Sequence, residues 1–256
     1  MARSRESIDK AVEVDLVALA QNVFADNLVS VIAYGSYLRD TFRPGASDVN
    51  VLFIIREAIG DQFDAFGRDG HRLMRRFTIT PLVLTRDEFR SSSDVFPMEY
   101  SDLVDVHRVL YGEDVTSDLS LSAVHLRHEV EHQLRGSLVS LRQLAVAAGR
   151  RRPFVERALR RELAQWQGTL WAVLRGVLRL YGYAPSADPT SSPIPNDPAA
   201  LVDAVNRAVG FEPGPLLTLA RCRNGACPDS REMIAGLLDR LSELVRVVDR
   251  YQRGTA

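Results

Sequence analysis

Cysteine is nearly absent from this chain of 256 residues: Cys222 and Cys227 are the whole supply. Two are too few for a disulfide framework, so free thiols in a reducing compartment are the expectation. Lysine is scarcer still. Lys10 is the single one, and apart from histidine every other basic residue is arginine. Neither sign of charge dominates, with 32 basic residues against 33 acidic and a formal net charge of -1. No global basic field therefore draws the chain to nucleic acid or to an anionic membrane. Long hydrophobic runs are missing too. Apolar runs are short, as at 51–55, whereas a bilayer span takes about 20 apolar residues. The opening MARSRESIDK lacks the apolar stretch of a signal peptide. These absences together predict a cytoplasmic protein. What remains is the ordinary balance of a globular chain, 46% hydrophobic and 25% charged, which excludes collagen-like and disordered classes and leaves room for a sizeable core.

The two halves differ in texture. Over 1–116 helical and strand patterns alternate. Val12, Leu16, Leu19 and Val23 place a helix over about 7–24. Strands are predicted at 28–34, 49–55 and 77–84, with a looser helical stretch carrying Phe63, Phe66 and Leu73 between the last two. Thr85 and Glu88 have the spacing of a capping box, and 102–110 reads as a further strand. This order predicts an α/β or α+β domain. Over 117–256 the pattern turns helical. One long helix is expected over 122–148, another from Pro153 with a stripe at Leu159, Leu163, Trp166, Leu170, Leu174 and Leu178, a Pro- and Ser-rich loop at 184–198, and a last helix over 230–250. This half reads as a helical bundle of about five helices.

The chemistry-bearing pattern lies in the first half. Tyr34-Gly35-Ser36 ends an apolar strand, eleven residues follow, and Asp48-Val49-Asn50 opens the next apolar strand. A Gly-Ser pair at a strand end lets backbone N–H groups approach a phosphate, with the hydroxyl as a further donor. Residues i and i+2 of a strand point to one side, so positions 48 and 50 converge where acidic groups hold Mg²⁺ beside a phosphate.

Gly35-Ser36 followed by Ser47-Asp48-Val49-Asn50-Val51-Leu52 resembles the signature of the nucleotidyltransferase superfamily, which includes DNA polymerase beta. A small domain of this kind followed by a helical bundle looks like the aminoglycoside nucleotidyltransferase branch. The stretch Asp94-Val95-Phe96-Pro97-Met98-Glu99-Tyr100 and Leu110-Tyr111-Gly112-Glu113-Asp114 are similar to bacterial members of that branch. The resemblance implies an α+β fold, a nucleotidyltransferase-like mixed-sheet domain over 1–116 followed by a helical bundle over 117–256, with a ligand cleft between the two domains. It implies Mg²⁺ as cofactor and a nucleoside triphosphate as partner, with nucleoside monophosphate passing to a hydroxyl acceptor. Gly35 and Ser36 would hold the phosphates, Asp48 would be catalytic, and Asp48 with Asn50 would hold the metal. Two departures stand out. Asn50 occupies a position where the superfamily has an acid, and strand 77–84 carries no carboxylate, so Asp48 alone remains of the expected three. Glu99, Asp102 or Asp105 would replace the missing charge if the chain folds back over the site. The alternative is a nucleotide-binding or interaction protein that has lost its transfer chemistry.

Other signals have simpler explanations. His128-Glu129-Val130-Glu131-His132 matches the HExxH spacing of zinc hydrolases, yet its flanking charges read as a salt-bridged helix face. The arginines at 150, 151, 152, 157, 160 and 161 read as a solvated surface paired with Glu156 and Glu162.

Overall fold

In the computed structural model, residues 4–39, 42, 44, 47–117, 119, 121–149, 155–183, 193–222 and 230–251 are described. The chain divides into two compact units, Met1–Leu121 and Ser122–Ala256.

The first unit is built on a four-stranded mixed sheet in the order β3-β2-β1-β4, with β1 Leu28–Tyr34, β2 Val49–Ile55, β3 Ile79–Thr85 and β4 His107–Gly112. β1 runs antiparallel to both β2 and β4. β2 and β3 are parallel, and α3 (Gly60–Phe77) makes the crossover such a pair requires. Strand alternation sorts the side chains between two faces. Val31, Ala33, Val49, Val51, Phe53, Ile55 and Ile79 pack with α1 (Arg5–Lys10), α2 (Val17–Phe24) and α3. Ile32, Leu52 and Ile54 pack on the other side with Phe89 of α4 (Arg86–Ser91) and with Tyr100 and Leu103 of α5 (Pro97–Asp105). A strand buried on both faces reads as a continuous apolar run, as 51–55 does.

Local chemistry fixes the ends of these elements. Ser4 caps α1 through the Ser7 amide. Between α1 and α2 the helix widens into a π segment, Ala11–Leu16, with Ala11, Val12 and Leu16 buried. The Thr85 hydroxyl accepts from the Glu88 amide while the Glu88 carboxylate accepts from the Thr85 amide, the reciprocal cap that the spacing predicts. Gly112 has φ +77°, and a Cβ there would lie 2.0 Å from the Val29 carbonyl oxygen, so only glycine fits where β4 crosses β1. Beside it the fully buried Ser30 donates to the Tyr111 and Glu113 carbonyls at 3.1 and 2.6 Å.

Two predicted boundaries change. The expected strand over 102–110 is instead the end of α5 followed by β4. Pro97 stands in the first turn of α5, where a missing N–H costs nothing, and Tyr100 stacks on Phe89 at 5.0 Å. The third strand starts at Ile79 rather than 77, because Phe77 still belongs to α3 and Thr78 turns left-handed at φ 55°.

The second unit is helical: α6 Ala123–Ala148, α7 Val155–Leu180, α8 Pro198–Val209, α9 Gly214–Arg221 and α10 Ser230–Asp249. α6 packs against both α7 and α10. Its stripe of Leu126, Val130, Leu134, Leu138 and Leu141 is buried, as are Leu170, Leu174 and Leu178 of α7 and Leu237, Leu241, Leu244 and Val248 of α10. Asp197 caps α8 through the Ala200 amide at 3.0 Å. Pro153 and most of the 184–198 loop lie outside the described residues. No helix among the described residues is long and apolar enough to cross a membrane.

Candidate functional site

β1 ends at Tyr34, and the chain enters a single 3₁₀ turn, Gly35–Leu38. Gly35 has φ +77°, and a Cβ there would meet the Asn50 Nδ2 at an ordinary 3.4 Å. The left-handed backbone, not crowding, is what calls for glycine. The Gly35 N–H donates to the Val106 carbonyl at 3.2 Å. It is therefore committed to the fold. The Ser36 hydroxyl reaches the Asp48 carbonyl at 3.4 Å, a long and weak bond.

The turn thus sits against the start of β2, and the structure brings Gly35, Ser36, Asp48 and Asn50 together. Asp48 is exposed and Asn50 half-buried, while Val49 between them is fully buried on the face of α1–α3. The Val49 amide, bonded to the Thr78 carbonyl at 2.9 Å, anchors this end of the strand. Alternation puts Asn50 on the opposite face, in a cross-strand row with Tyr34, Thr80 and, through Tyr34, His107.

α5 lies over that same face. Glu99, on its exposed side, acts electrostatically on Tyr34. Burial chiefly, then the Glu99 carboxylate and Tyr100, hold the Tyr34 hydroxyl above the usual tyrosine range. Asp102 of α5 faces Arg39 at 3.9 Å, one residue beyond the turn. Of the three carboxylates named above, Glu99 thus acts on Tyr34, which pairs with Asn50 across the strands, and Asp102 is taken up by Arg39. Among the described residues, no group of three or more His, Cys, Asp or Glu side chains could hold a metal ion. One carboxylate and one amide oxygen, at Asp48 and Asn50, fit a hard cation that brings most of its ligands on a triphosphate and in water.

The end of β4 is pinned by a polar cluster that sequence reasoning missed. The Thr116 hydroxyl lies 2.7 Å from Asp114 Oδ1 and 3.0 Å from His107 Nε2, and His107 Nε2 lies 3.2 Å from Asp114 Oδ2. His107 Nδ1 lies 3.3 Å from the Val104 carbonyl. Both ring nitrogens of His107 are thus engaged within the fold, and the residue acts as a clasp. Hydrogen bonds from Thr116 and His107 outweigh burial and hold the Asp114 carboxyl below its usual range, although burial is the largest single influence.

The remaining candidates lie elsewhere. His128 and His132 are exposed on α6, and Glu129 accepts from Gln133 Nε2 at 2.7 Å. Glu131 is bound by Arg127 at 3.0 Å and Arg135 at 2.8 Å. Arg135 first, and then Arg127, lower its carboxyl against the opposing effect of burial. Cys222 is disulfide-bonded, which corrects the free-thiol expectation at that position. Scarcity of cysteine is therefore no argument for a reducing compartment. Cys227 and the arginines at 150–152 lie outside the described residues, as do the side chains of Arg157, Arg160 and Arg161.

No protein-family model matches the chain, and no curated protein matches it. Among solved structures, the chain is similar to spectinomycin adenyltransferase AAD(9) from Enterococcus faecialis, crystallised with ATP and spectinomycin. The sequence identity is 12% and the TM-score 0.44, over 90% of this chain and 98% of that one.

Proposed function

We propose that this chain is a nucleotidyltransferase-like protein. In this reading it binds a Mg²⁺-bound nucleoside triphosphate at the end of its sheet and transfers the nucleoside monophosphate to a hydroxyl acceptor. The observation that carries the proposal is the seating of the Gly35–Leu38 turn on the first residues of β2, with the Ser36 hydroxyl on the Asp48 carbonyl and Gly35 against the Asn50 amide. A turn of this kind offers donors to phosphate oxygens, and Asp48 beside it offers the negative charge that a phosphate-bound cation requires.

In this reading Ser36 and the turn it belongs to orient the β- and γ-phosphates. Asp48 is the catalytic carboxylate and, with the Asn50 side-chain oxygen, holds the cation. The cation, when bound, neutralises charge on the triphosphate. The acceptor oxygen forms its bond to the α-phosphorus, the α–β anhydride breaks, pyrophosphate departs and the hydroxyl proton passes to solvent.

A second reading keeps the binding and drops the transfer. Asn50 favours it, because an amide contributes an oxygen but no charge, and so does the absence of a carboxylate from β3 (ITPLVLT). Calorimetric titration with each nucleoside triphosphate, with and without Mg²⁺, together with a pyrophosphate-release assay over a panel of hydroxyl acceptors, separates the two. Mg²⁺-dependent binding with pyrophosphate release supports transfer, and binding without release supports the second reading. No binding of any triphosphate defeats both.

A further inference from the structure

A fully buried tyrosine stands at the third position of the turn. Tyr37 is 0% exposed, and an apolar ring would fill that space as well. Its hydroxyl is not idle, however. It donates to Asp9 Oδ1 at 2.7 Å, with Glu13 Oε1 at 3.5 Å. A hydroxyl bound to a carboxylate at that distance is a charge-assisted bond, stronger than a neutral one. Burial foremost, then the hydrogen bond and charge of Asp9 and the charge of Glu13, push the phenol far above its usual range. It therefore stays protonated and remains a donor.

The two carboxylates sit one helical turn apart across the junction of α1 and the π segment that begins at Ala11. Short π segments inside α-helices occur often at functional sites. Both carboxylates are held in place from outside. Arg5 pairs with Asp9 at 3.0 Å and lies 4.6 Å above the Tyr37 ring and 5.0 Å from the Phe42 ring. Arg108 of β4 pairs with Glu13 at 2.5 Å. Phe42 meets Tyr37 edge-on at 5.5 Å. A closed circuit results. The turn is tied to the segment before β4 by the Gly35 N–H, β4 is tied to the helix by Arg108 and Glu13, and the helix is tied back to the turn by Asp9 and Tyr37.

We infer that Tyr37 is a positioning residue: through its hydrogen bond to Asp9 it fixes the conformation of the Gly35–Leu38 turn that is to receive the phosphates. The inference rests on the nucleotide-site reading above for its ligand, but not for the brace itself. It accounts for the polar tyrosine at a dry position, whose hydroxyl reaches the partly exposed Asp9 and Glu13 at the edge of the core, and for the guanidinium stacked on the ring.

The test compares Tyr37→Phe with wild type in two measurements on the full chain. One is calorimetric titration with Mg-ATP and Mg-GTP. The other is amide hydrogen exchange of residues 35–39 without nucleotide, read against exchange in β1 and β2. Loss of one charge-assisted hydrogen bond corresponds to roughly a tenfold effect. The expected result is about a tenfold weaker nucleotide affinity and about tenfold faster exchange confined to the turn, with β1 and β2 unchanged. Asp9→Asn keeps an acceptor for the Tyr37 hydroxyl and is expected to retain most of the wild-type affinity and turn protection, whereas Asp9→Ala reproduces the losses of Tyr37→Phe. If Tyr37 merely stabilised the core, Tyr37→Phe would speed exchange throughout the sheet, and Asp9→Asn and Asp9→Ala would behave alike. Wild-type affinity together with wild-type turn exchange in Tyr37→Phe overturns the inference. If wild type itself binds neither nucleotide, the nucleotide-site reading fails, and turn exchange alone decides whether the brace exists.

Discussion

Asn50→Asp is the substitution that asks most of the candidate site. The two side chains are nearly the same size. At this position Nδ2 faces Gly35 across an ordinary contact distance of 3.4 Å measured to the Cβ that glycine lacks, so a carboxylate fits without rearrangement. The electrostatics follow from the strand. Positions 48 and 50 lie two residues apart, about 6.6 Å along the chain. Two carboxylates at that separation repel by about 0.6 kcal/mol in water and by about 2.5 kcal/mol at an effective dielectric of 20. Asp48 is exposed, so the lower part of that range applies without metal, and Asn50→Asp is expected to unfold more easily by about 0.5–1 kcal/mol. Binding of a divalent cation reverses the sign, since both charges now face the ion. A gain of about 1.4–2.8 kcal/mol corresponds to a ten- to hundredfold tighter apparent Mg²⁺ affinity in the presence of triphosphate. The assay is thermal or urea unfolding of both proteins over a Mg²⁺ series at fixed nucleotide, since a ligand of the native state raises apparent stability with its concentration. The expected pattern is a crossing, with the variant less stable without Mg²⁺ and more stable with it. Parallel curves, with the variant equally displaced at every Mg²⁺ concentration, would refute the convergence of positions 48 and 50 on a cation.

Other expectations are simpler to check. Ser36→Ala removes a long hydrogen bond of 3.4 Å, so stability should change by less than about 0.5 kcal/mol, while triphosphate affinity in calorimetry falls several-fold. Gly112→Ala forces a Cβ to within 2.0 Å of the Val29 carbonyl at φ +77°; urea unfolding should show a loss of more than about 2 kcal/mol, the largest of these substitutions. Thr85→Ala removes the cap on α4 and should cost about 1 kcal/mol near neutral pH. The Glu88 carboxyl is lowered by its hydrogen bonds from the backbone and side chain of Thr85. Its contribution is therefore present above the unfolded-state pKa and disappears as pH falls through the lower, folded one. The difference between wild type and Glu88→Gln in a pH series of unfolding curves should accordingly shrink on the acid side.

The parts of this fold that declare themselves in the sequence are those governed by neighbours along the chain. The run at 51–55 announces a strand buried on both faces, and Thr85 with Glu88 announces a helix start. The turn at 35–36 shows through its glycine, whose φ is positive. α5 was obscured because its valines at 104 and 106 continue into the strand-like alternation of β4, although Phe96-Pro97 carried the signal of a helix N-terminus. What holds α5 on the sheet is Tyr100 stacked on Phe89, a contact between elements rather than a pattern within one. The same limit applies to the site. That the turn at 35–36 lies beside the start of β2 was readable from the spacing of strand, Gly-Ser and strand. A return of Glu99, Asp102 or Asp105 toward the site stood only as a condition, because it depends on where a helix lands, and the effect of Glu99 on Tyr34 had no signal in the sequence. Tyr37 gave no sign at all, since its partners Asp9 and Glu13 lie 28 and 24 residues earlier in the chain.

The central claim is that the Gly35–Leu38 turn and Asp48 together receive a metal-bound triphosphate. Its most direct measurement is a crystal structure of the protein grown with Mg²⁺ and a non-hydrolysable nucleoside triphosphate. The account expects phosphate oxygens within hydrogen-bond distance of Ser36 and an Mg²⁺ ion bound by Asp48. A nucleotide bound elsewhere, with Ser36 and Asp48 untouched, would contradict it.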